Sequence, residues 1–249
     1  MIVDSPFIRY VGLHKAFADK EVLRGVDLDI PRGKTVVVLG GSGSGKSVLL
    51  RHAVGLHRPD AGSVWVDDDD ITGWSEERMV EPRKKVGMLF QAGALFDSMD
   101  VMSNVAFSLH EHTDWSRDRI AARVDEVLRL VELEGVESLM PASLSGGMRK
   151  RVALARAIAL APRALLYDEP TTGLDPIIAN TINQLIRSLQ KRLGVTSIVV
   201  THDIQSAFTV ADRIAFLYDG KILFQGTVEE ARRADEPRLH RFLQGGGYG

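Results

Sequence analysis

Cysteine is absent from the 249 residues of this chain, which excludes disulfide bonds and thiolate metal sites. A large net charge is also lacking: the formal value is −2, so charge gives no reason to expect nucleic acid as a partner. No stretch approaches the roughly 18 uninterrupted apolar residues of a membrane span. Residues 1–6 include an acid and a proline where a signal peptide has basic and then apolar residues. We therefore expect a cytosolic protein that reaches a membrane only through a partner.

Apolar residues make up 45% of the chain and charged residues 26%, the profile of an ordinary folded protein. Thr35–Leu39 is a continuous β-branched run, typical of a strand buried on both faces of a parallel sheet. Alternating polarity predicts a half-buried strand over Val26–Ile30. Further strands are predicted at Val86–Phe90, Ala164–Tyr167 and Ser197–Val200, a helix at Ile177–Leu193, and a hairpin over Ile214–Tyr218 and Ile222–Phe224 with Asp219-Gly220 as its turn. Strands that alternate with helices predict an α/β fold with a mainly parallel sheet.

The pattern changes between about residues 92 and 161, where no strand-like run occurs. Apolar side chains recur there at helical spacing, at Ile120, Val124, Val127, Leu128 and Val131. We expect a helical subdomain inserted into the α/β core, and the lack of a long heptad run excludes a long coiled coil.

A glycine-rich segment between the strand at Thr35–Leu39 and a helix that begins near Lys46 fits the pattern G-x-x-x-x-G-K-[ST]. Its glycines let backbone N–H groups converge on phosphates, and the following helix adds the positive end of its dipole. Lys46 is expected to reach the β- and γ-phosphates, and the Ser47 hydroxyl to ligate Mg²⁺. The predicted nucleotide-binding residues are Gly40, Gly41, Ser42, Gly43, Ser44, Gly45, Lys46 and Ser47.

Two carboxylates, Asp168 and Glu169, end the strand predicted at Ala164–Tyr167. They emerge at the carboxyl edge of the sheet, where α/β proteins form ligand sites. Asp168 can hold Mg²⁺ through water, and Glu169 can act as base or position the attacking water.

A second anion site is predicted where an alanine-rich helix over Met148–Leu160 begins. Ser145 can act as its N-cap, and Gly146 and Gly147 expose backbone donors at the positive end of the helix dipole. Ser-Gly-Gly alone is more often a plain helix cap. Two anion sites beside a single catalytic Asp-Glu pair favour a composite site shared between two molecules.

With these motifs in this order, the chain resembles the ATP-binding cassette (ABC) ATPases from about Phe7 to Gly226. The resemblance implies a P-loop NTPase fold, with a RecA-like core, an antiparallel β subdomain and an inserted helical subdomain. It also implies a head-to-tail homodimer around two ATP molecules, each held between the P-loop of one subunit and the signature residues of the other. These signature residues are Leu144, Ser145, Gly146 and Gly147.

The same resemblance implies roles for four further places. Phe17 is similar to the aromatic residue that stacks on adenine, and Gln91 to the glutamine that senses Mg²⁺ and the attacking water. His202 is similar to the histidine that contacts the γ-phosphate, and Gly173-Leu174-Asp175 to the loop that contacts the other subunit. One domain is expected over 5–240, with a core at about 5–91 and 162–230, a helical subdomain at about 92–161, and a flexible tail at 241–249.

A narrower resemblance, to the ATPase subunits of Mla/Mce-type lipid transporters, is carried by Phe90–Phe96, Asn104–Phe107 and Glu111–Thr113. Leu139–Pro141 and Gly146–Arg151 are similar to that group as well. The resemblance implies a membrane permease, an Mce-type substrate-binding protein and phospholipid or other hydrophobic cargo. It implies peripheral attachment at the cytoplasmic face of the inner membrane.

Three alternatives remain open at this point. The first is an ABC importer ATPase for a small polar solute such as an amino acid, which the segment Gln91–Phe96 argues against. The second is a soluble ABC-type ATPase that acts on DNA or the ribosome, but such proteins carry a long coiled coil or two cassettes in one chain. The third is a nucleotide-dependent regulator without turnover, which the intact Glu169 disfavours.

Other conspicuous residues favour plain structural interpretations. The acid run Asp67–Asp70 is expected to be a solvated turn. His110 and His112 have no evident third ligand for zinc. The basic triplet Arg149–Arg151 is expected to be a solvated helix face rather than a phosphate contact.

The apolar segment after Gln91, which contains Ala92, Ala94, Leu95 and Phe96, joins the core to the helical subdomain. An apolar stretch beside a nucleotide sensor suits the docking of a short permease helix. The alternative is that Leu95 and Phe96 pack inside the helical subdomain, since buried Leu and Phe are common.

Overall fold

Strands and helices alternate along the chain in the computed structural model, which describes residues 5–245. The strands are β1 (Ile8–Phe17), β2 (Lys20–Ile30), β3 (Thr35–Leu39), β4 (Ala61–Val66), β5 (Asp69–Asp70), β6 (Val86–Leu89), β7 (Ala164–Asp168), β8 (Thr196–Thr201), β9 (Arg213–Tyr218) and β10 (Lys221–Thr227). The helices are α1 (Lys46–Ala53), α2 (Glu76–Lys85), α3 (Val101–His112), α4 (Arg117–Leu130), α5 (Gly146–Ile158), α6 (Pro176–Leu193), α7 (Ile204–Val210), α8 (Val228–Arg233) and α9 (Pro237–Leu243), with a 3₁₀ turn at Pro141–Ser143.

The larger sheet has six strands in the order β10-β9-β3-β8-β7-β6. All neighbouring strands in it are parallel except β9 and β10, which form the hairpin that Asp219-Gly220 predicts. Every residue of β3, β7 and β8 is buried, because helices or the second sheet cover both faces. The prediction of an α/β fold with a mainly parallel sheet is confirmed. The carboxyl ends of β3 and β7 bring the P-loop and the Asp168-Glu169 pair to one edge.

The smaller sheet is antiparallel, in the order β2-β1-β4-β5, and packs over α1 and one face of the larger sheet. Ile8 of β1 lies opposite Ile30 of β2 and Val66 of β4. The sequence pattern did not reveal β1 or the first half of β2. Register shifts between Tyr10 and Leu13 interrupt the two-residue alternation by which such strands are found.

The chain between residues 92 and 161 contains α3, α4, the 3₁₀ turn and α5, in that order. The buried face of α4 consists of Ile120, Val124, Val127 and Leu128, the residues that the helical spacing identifies. Asn104 of α3 is fully buried, and its side chain binds the backbone of Phe96 through both N–H and carbonyl groups. This side chain thus determines how the chain enters α3. Of the helices in residues 5–245, none combines the length and the apolar character that crossing a membrane requires.

The turn at Asp67-Asp68 departs from the solvated turn that the acid run predicts. Both residues have positive φ, as a tight turn requires, but the side chain of Asp67 is only 9% exposed. Its carboxylate accepts hydrogen bonds from Arg32 at 2.8 Å, Lys85 at 2.9 Å and Arg163. For Asp67 the prediction is therefore wrong. The residue joins the smaller sheet to the edge of the larger one.

The prediction of a flexible tail at 241–249 is also wrong for its first three residues. Arg241, Phe242 and Leu243 form the last turn of α9, which Glu236 caps through the N–H of Arg238. Phe242 is buried, with its ring 5.4 Å from that of Phe216. Residues 246–249, also assigned to this tail, lie outside the described residues.

Candidate functional site

The P-loop connects β3 to α1 through backbone that only glycine adopts without strain. Gly45, the N-cap of α1, has φ of 103°. A Cβ at Gly40 would lie 2.4 Å from the carbonyl oxygen of Leu217, so a side chain does not fit there. Since α1 begins at Lys46, the N–H groups of its first turn and the positive end of its dipole face the loop. The loop is therefore built to hold an anion.

Lys46 is a buried cation within this loop, 5% exposed. Its Nζ donates to the carbonyl oxygens of Gly40 and Gly41, both at 2.9 Å, and lies 3.5 Å from Oε1 of Glu169. Burial lowers the pKa of Lys46, and the nearby Glu169 partly offsets that effect. Lys46 thus brings a positive charge against both the loop and the carboxylate.

Ser47 and Asp168 meet directly, although 121 positions separate them in the sequence. The Ser47 hydroxyl donates to Oδ1 of Asp168 at 2.6 Å. A hydroxyl and a carboxylate are oxygen ligands of the kind that Mg²⁺ prefers. Within residues 5–245 no group of three or more His, Cys, Asp and Glu side chains is arranged to hold a metal ion. A cation beside Ser47 would therefore take further oxygen ligands from water or from a bound phosphate.

Glu169 stands in strained backbone, with φ of 48°, and its side chain is held on two sides. His202 Nδ1 lies 3.0 Å from each carboxylate oxygen, and Thr172 Oγ1 donates to Oε2 at 3.2 Å. The sequence analysis assigned no role to Thr172. Its position three residues after Glu169 is the signal that could have suggested this contact. The arrangement orients a carboxylate that can accept a proton.

A cavity of about 490 Å³ joins these groups and opens to solvent. Its lining includes eight of the residues singled out from the sequence, namely Ser42, Gly43, Gly45, Lys46, Ser47, Gln91, Glu169 and His202. Val22 of β2 and Thr172 line it as well, whereas Asp168 is buried behind Ser47. The volume lies in the usual range for a small-molecule site.

Phe17 lies at the end of β1 and is not part of the cavity lining. Its side chain is 42% exposed, and its ring meets that of His57 edge-on at a centroid distance of 5.2 Å. The amine of Lys15 lies 5.5 Å from the centroid of the same ring. The aromatic face predicted for adenine is therefore partly open, while neighbouring side chains restrain the ring.

The signature residues lie away from the cavity and form the start of α5. Ser145 is the N-cap of this helix and accepts from the N–H of Met148 at 3.2 Å. A Cβ at Gly147 would lie 2.7 Å from a methyl group of Ile178, so this turn packs closely against α6. No signature residue is among those that line the cavity. One chain thus keeps its two predicted anion sites apart.

Asp175 is the N-cap of α6, and its Oδ1 accepts from the N–H groups of Ile177 and Ile178 at 3.0 Å each. The neighbouring Ile177 is an apolar side chain with 79% of its surface exposed. An uncovered apolar residue therefore follows the predicted dimer-contacting loop, and the next residue, Ile178, contacts the signature turn.

The basic triplet after the signature is a solvated face only at Arg149, which is exposed as the sequence predicts. Lys150 is buried and Arg151 is half-buried, so for these two residues the prediction is wrong. All three side chains bind backbone carbonyls: Arg149 that of Leu144, Lys150 that of Gln91 and Arg151 that of Glu132. Lys150 is buried, and burial lowers its pKa, while Asp168 and Glu169 act in the opposite direction. Sequence spacing cannot reveal this contact, because Gln91 and Lys150 are 59 residues apart.

A second cavity, of about 410 Å³, lies beside the first between β6 and the helices α3 and α5. The rings of Phe96 and Phe107 meet in its wall at a centroid distance of 4.9 Å and a tilt of 48°, and Arg156 lies over Phe96. Phe96 is 41% exposed, whereas Leu95 is half-buried against the core. Each of the two interpretations of this segment therefore holds for one residue: Leu95 packs inward, whereas Phe96 lines the second cavity. This open cavity is called the groove below.

Comparison with protein families agrees with this geometry. The ABC transporter family matches residues 23–172, which carry the P-loop, the signature and the Asp168-Glu169 pair. The chain belongs to the ABC transporter family. It is an ABC ATPase, as the motifs predict, with ATP as its nucleotide.

Three curated relatives illustrate the similarity of this ABC ATPase to transport proteins. The intermembrane phospholipid transport system ATP-binding protein MlaF of Escherichia coli is 42% identical over 88% of this chain and 82% of its own length. The probable ribonucleotide transport ATP-binding protein mkl of Mycobacterium leprae is 42% identical over 96% of this chain and 69% of its own length. The match to mkl of Mycobacterium tuberculosis covers 94% of this chain and 65% of that protein, so the chain spans about two thirds of the length of the mycobacterial proteins.

Solved structures show the same fold. The ATP-binding cassette MJ0796, in a dimeric post-hydrolysis state bound to ADP and Pi, matches 89% of this chain and 98% of its own, with 32% identity and a TM-score of 0.82. The structure of cbiO1 from Clostridium perfringens, part of the ABC transporter complex cbiONQ, matches 97% and 100%, with 30% identity and a TM-score of 0.84.

Proposed function

We propose that this ABC ATPase works as a homodimer that powers the movement of phospholipid or other hydrophobic cargo through a membrane permease. A substrate-binding protein of the Mce type completes the complex, and the ATPase is attached at the cytoplasmic face of the inner membrane. The observation that carries the coupling to a permease is the groove beside Gln91, because one short segment borders both this groove and the nucleotide cavity.

In this proposal the hydrolysis of ATP uses the groups of the larger cavity. The P-loop N–H groups and Lys46 bind the phosphates, and Phe17 stacks on adenine. Glu169 accepts a proton from a water molecule while the water oxygen bonds to the γ-phosphorus and the bond to the bridging β–γ oxygen breaks. His202, 3.0 Å from both oxygens of Glu169, keeps the carboxylate oriented and contacts the γ-phosphate.

Mg²⁺ fits the donor set at the same place. Ser47 would hold it directly, Asp168 through water, and Gln91 would complete the protein side, since all three offer oxygen ligands. When bound, the ion neutralises charge on the β- and γ-phosphates.

The homodimer is supported by the separation of the two anion sites within one chain. Ser145 and the glycines of the signature belong to a helix start that does not border the cavity. A second copy placed head-to-tail would bring its signature to the ATP held by the first copy, and Asp175 and Ile177 lie beside that signature. The dimeric form of MJ0796 gives the same expectation by similarity.

The groove offers a permease helix both an apolar floor and a charged rim. Phe90, Phe96, Phe107 and Met88 supply apolar surface, whereas Arg83, Lys84 and Arg156 supply positive charge. An amphipathic helix docks with its apolar face in such a groove, and acidic side chains near its ends would match the basic rim.

The class of cargo follows from similarity. MlaF is named for intermembrane phospholipid transport, and the segment after Gln91 resembles that group. The mycobacterial mkl proteins carry a name for ribonucleotide transport, which keeps a polar cargo as the second candidate.

Purification of the native complex from membranes tests the proposal. We expect a permease and bound phospholipid in the complex, and ATP-dependent phospholipid transfer after reconstitution into vesicles. A complex that holds a ribonucleotide and moves no lipid would leave the ATPase assignment intact and refute the lipid cargo. Recovery of a hydrolytically active homodimer with no membrane subunit would refute the coupling.

A further inference from the structure

Contacts to three backbone carbonyls hold the linker, defined here as residues 91–94, against the signature helix α5. Lys150 donates to the carbonyl oxygen of Gln91. Arg156, nearly two helical turns further along α5, donates to the carbonyl oxygens of Gly93 at 3.0 Å and Ala94 at 2.7 Å. Both donors are cationic, and hydrogen bonds from charged donors are roughly twice as strong as neutral ones.

The backbone of the linker is shaped to lie against α5 between these two side chains. Gly93 and Ala94 both have positive φ, which turns the chain sharply after Gln91. A Cβ built on Gly93 would lie 3.6 Å from the Cβ of Ala153, so the turn rests directly on the helix surface. Ala94 is not a glycine, and its left-handed backbone is strained unless the surroundings enforce it. The bonds from Arg156 supply that enforcement.

Lys150 is 6% exposed, so its ammonium group has little water to replace the bond to Gln91. A buried cation whose partner is removed carries a high cost, which makes separation of α5 from the linker unfavourable. Asp168 and Glu169 lie near enough to act on Lys150 electrostatically. The contact is therefore part of the surroundings of the catalytic carboxylates.

The linker and α5 end at different functional places. Gln91 lines the nucleotide cavity of its own chain, and Ala94 and Arg156 line the groove. The other end of α5 is the signature turn at Ser145, which does not line that cavity. A rigid connection between the linker and α5 would therefore couple the nucleotide cavity, the groove and the signature turn, which lie in separate segments of the sequence.

We propose that Lys150 and Arg156 are positioning residues that tie the linker to α5, so that Gln91, the signature turn and the groove move as one body when ATP binds. This inference rests on the proposed roles of Gln91 and of the signature. Without the contacts from Lys150 and Arg156, the linker would follow the nucleotide while α5 stayed in place. The nucleotide cavity and the signature turn of one chain would then respond to ATP separately.

The lack of native cysteine makes a direct test practical, since two introduced cysteines are the only sites for thiol-reactive labels. Asp125 on α4 and Lys191 on α6 are exposed and report on the helical subdomain and the core. The distance between labels at Asp125→Cys and Lys191→Cys is measured by double electron–electron resonance, with and without Mg-ATP, in full-length Glu169→Gln protein that retains ATP. The same comparison is then made with Lys150→Met, Arg156→Met and Arg151→Gln.

Arg151→Gln is the matched control, because Arg151 is also a basic residue of α5 that binds a backbone carbonyl, but that carbonyl belongs to Glu132 and not to the linker. We expect ATP to shift the label distance in the control as in the parent protein. In Lys150→Met and in Arg156→Met the shift should be lost or at least halved, with the dissociation constant for ATP changed less than about threefold. In chains with Glu169 restored, kcat should fall roughly 10- to 100-fold while KM changes little, since misplaced groups slow chemistry more than binding.

The Arg156 variant distinguishes a structural tie from a purely electrostatic effect of Lys150 on the carboxylates. Burial lowers the pKa of Arg156, and no catalytic carboxylate contributes to that shift. Loss of the distance shift in Lys150→Met with a full shift in Arg156→Met would overturn the tie, as would a full shift in both. If Met at position 150 prevents folding, Lys150→Gln keeps a donor in its place, and the Arg156 variants carry the decision. Failure of the proposed function would instead appear in the unaltered protein, as absence of ATP turnover or of an ATP-dependent dimer with Glu169→Gln.

Discussion

His202 Nδ1 lies 3.0 Å from both carboxylate oxygens of Glu169, and Nζ of Lys46 lies 3.5 Å from one of them. The proposed base, the histidine beside it and the lysine proposed to bind phosphate therefore form one connected group. Removal of charge from Glu169 or Lys46 changes the electrostatic surroundings of the other members, so single substitutions here are expected to affect chemistry more than folding.

Glu169→Gln keeps the shape of the side chain and removes its negative charge and basicity. ATP should still bind, because the P-loop is unchanged, whereas turnover should fall roughly 10²-fold or more. Phosphate release and gel filtration with Mg-ATP measure the two effects, and the trapped protein should elute as a dimer. Near-normal hydrolysis would refute the assignment of Glu169 as base.

Ser145→Arg tests the shared site, since Ser145 does not border the cavity of its own chain. The isolated variant should bind ATP normally but lose hydrolysis roughly 10²-fold, because a donor to the partner's phosphate is missing. Mixed with a Lys46→Ala chain, it should form dimers with one competent site, so the mixture should exceed the summed activity of its components. Abolished ATP binding in the Ser145→Arg monomer would place the signature in the same chain as its P-loop.

The different burial of Leu95 and Phe96 separates docking from packing. Phe96→Ser removes an exposed ring, so the ATPase should stay folded and bind ATP but lose most of its permease in co-purification. Leu95→Asp places a charge in the half-buried position and should lower the free energy of unfolding by about 2–4 kcal/mol.

Leu56→Ser is the control for this pair, because Leu56 is also an exposed apolar residue but lies outside the groove. It should retain both stability and permease. Normal assembly and transport with Phe96→Ser would show that the groove is not the docking surface.

Asp67→Asn tests the ion-pair cluster that the acid run conceals. Burial raises the pKa of Asp67, but the hydrogen bonds from Arg32 and Lys85 more than offset it, so the pKa lies below its usual 3.8. The carboxylate therefore contributes stability above that value and loses it as pH falls through the lowered pKa. Asparagine tolerates the positive φ at this position, so the substitution mainly removes charge.

At pH 7 we expect Asp67→Asn to lose about 1–2 kcal/mol, a moderate value because Arg163 is largely exposed. Asp68→Asn, whose side chain is 63% exposed, should lose less than about 1 kcal/mol. Urea unfolding at pH 7 and below pH 4 measures both, and the gap between wild type and Asp67→Asn should narrow at the lower pH. An equal loss in both variants, or a gap that widens in acid, would contradict the ion-pair role.

The local sequence pattern was sufficient to predict the strands that are buried on both faces. The strands β3, β7 and β8 are buried along their whole length, and each contains a continuous apolar run, at Val36–Leu39, Ala164–Tyr167 and Ile198–Val200. The hairpin of β9 and β10 follows from Asp219-Gly220, because a two-residue turn is determined by its own residues. By contrast β1, with its register shifts, has no clean period and was not found.

The sequence by itself determined which residues form the predicted phosphate site, since a P-loop is a local structure whose residue types and spacing are enough to specify it. Only the tertiary structure decided that Asp67 binds Arg32, Lys85 and Arg163, and that Lys150 binds the carbonyl of Gln91 instead of facing solvent. These partners are tens of residues apart. Their meeting depends on how strands and helices pack, and a long flexible cation with alternative partners carries no local signal of which one it will take.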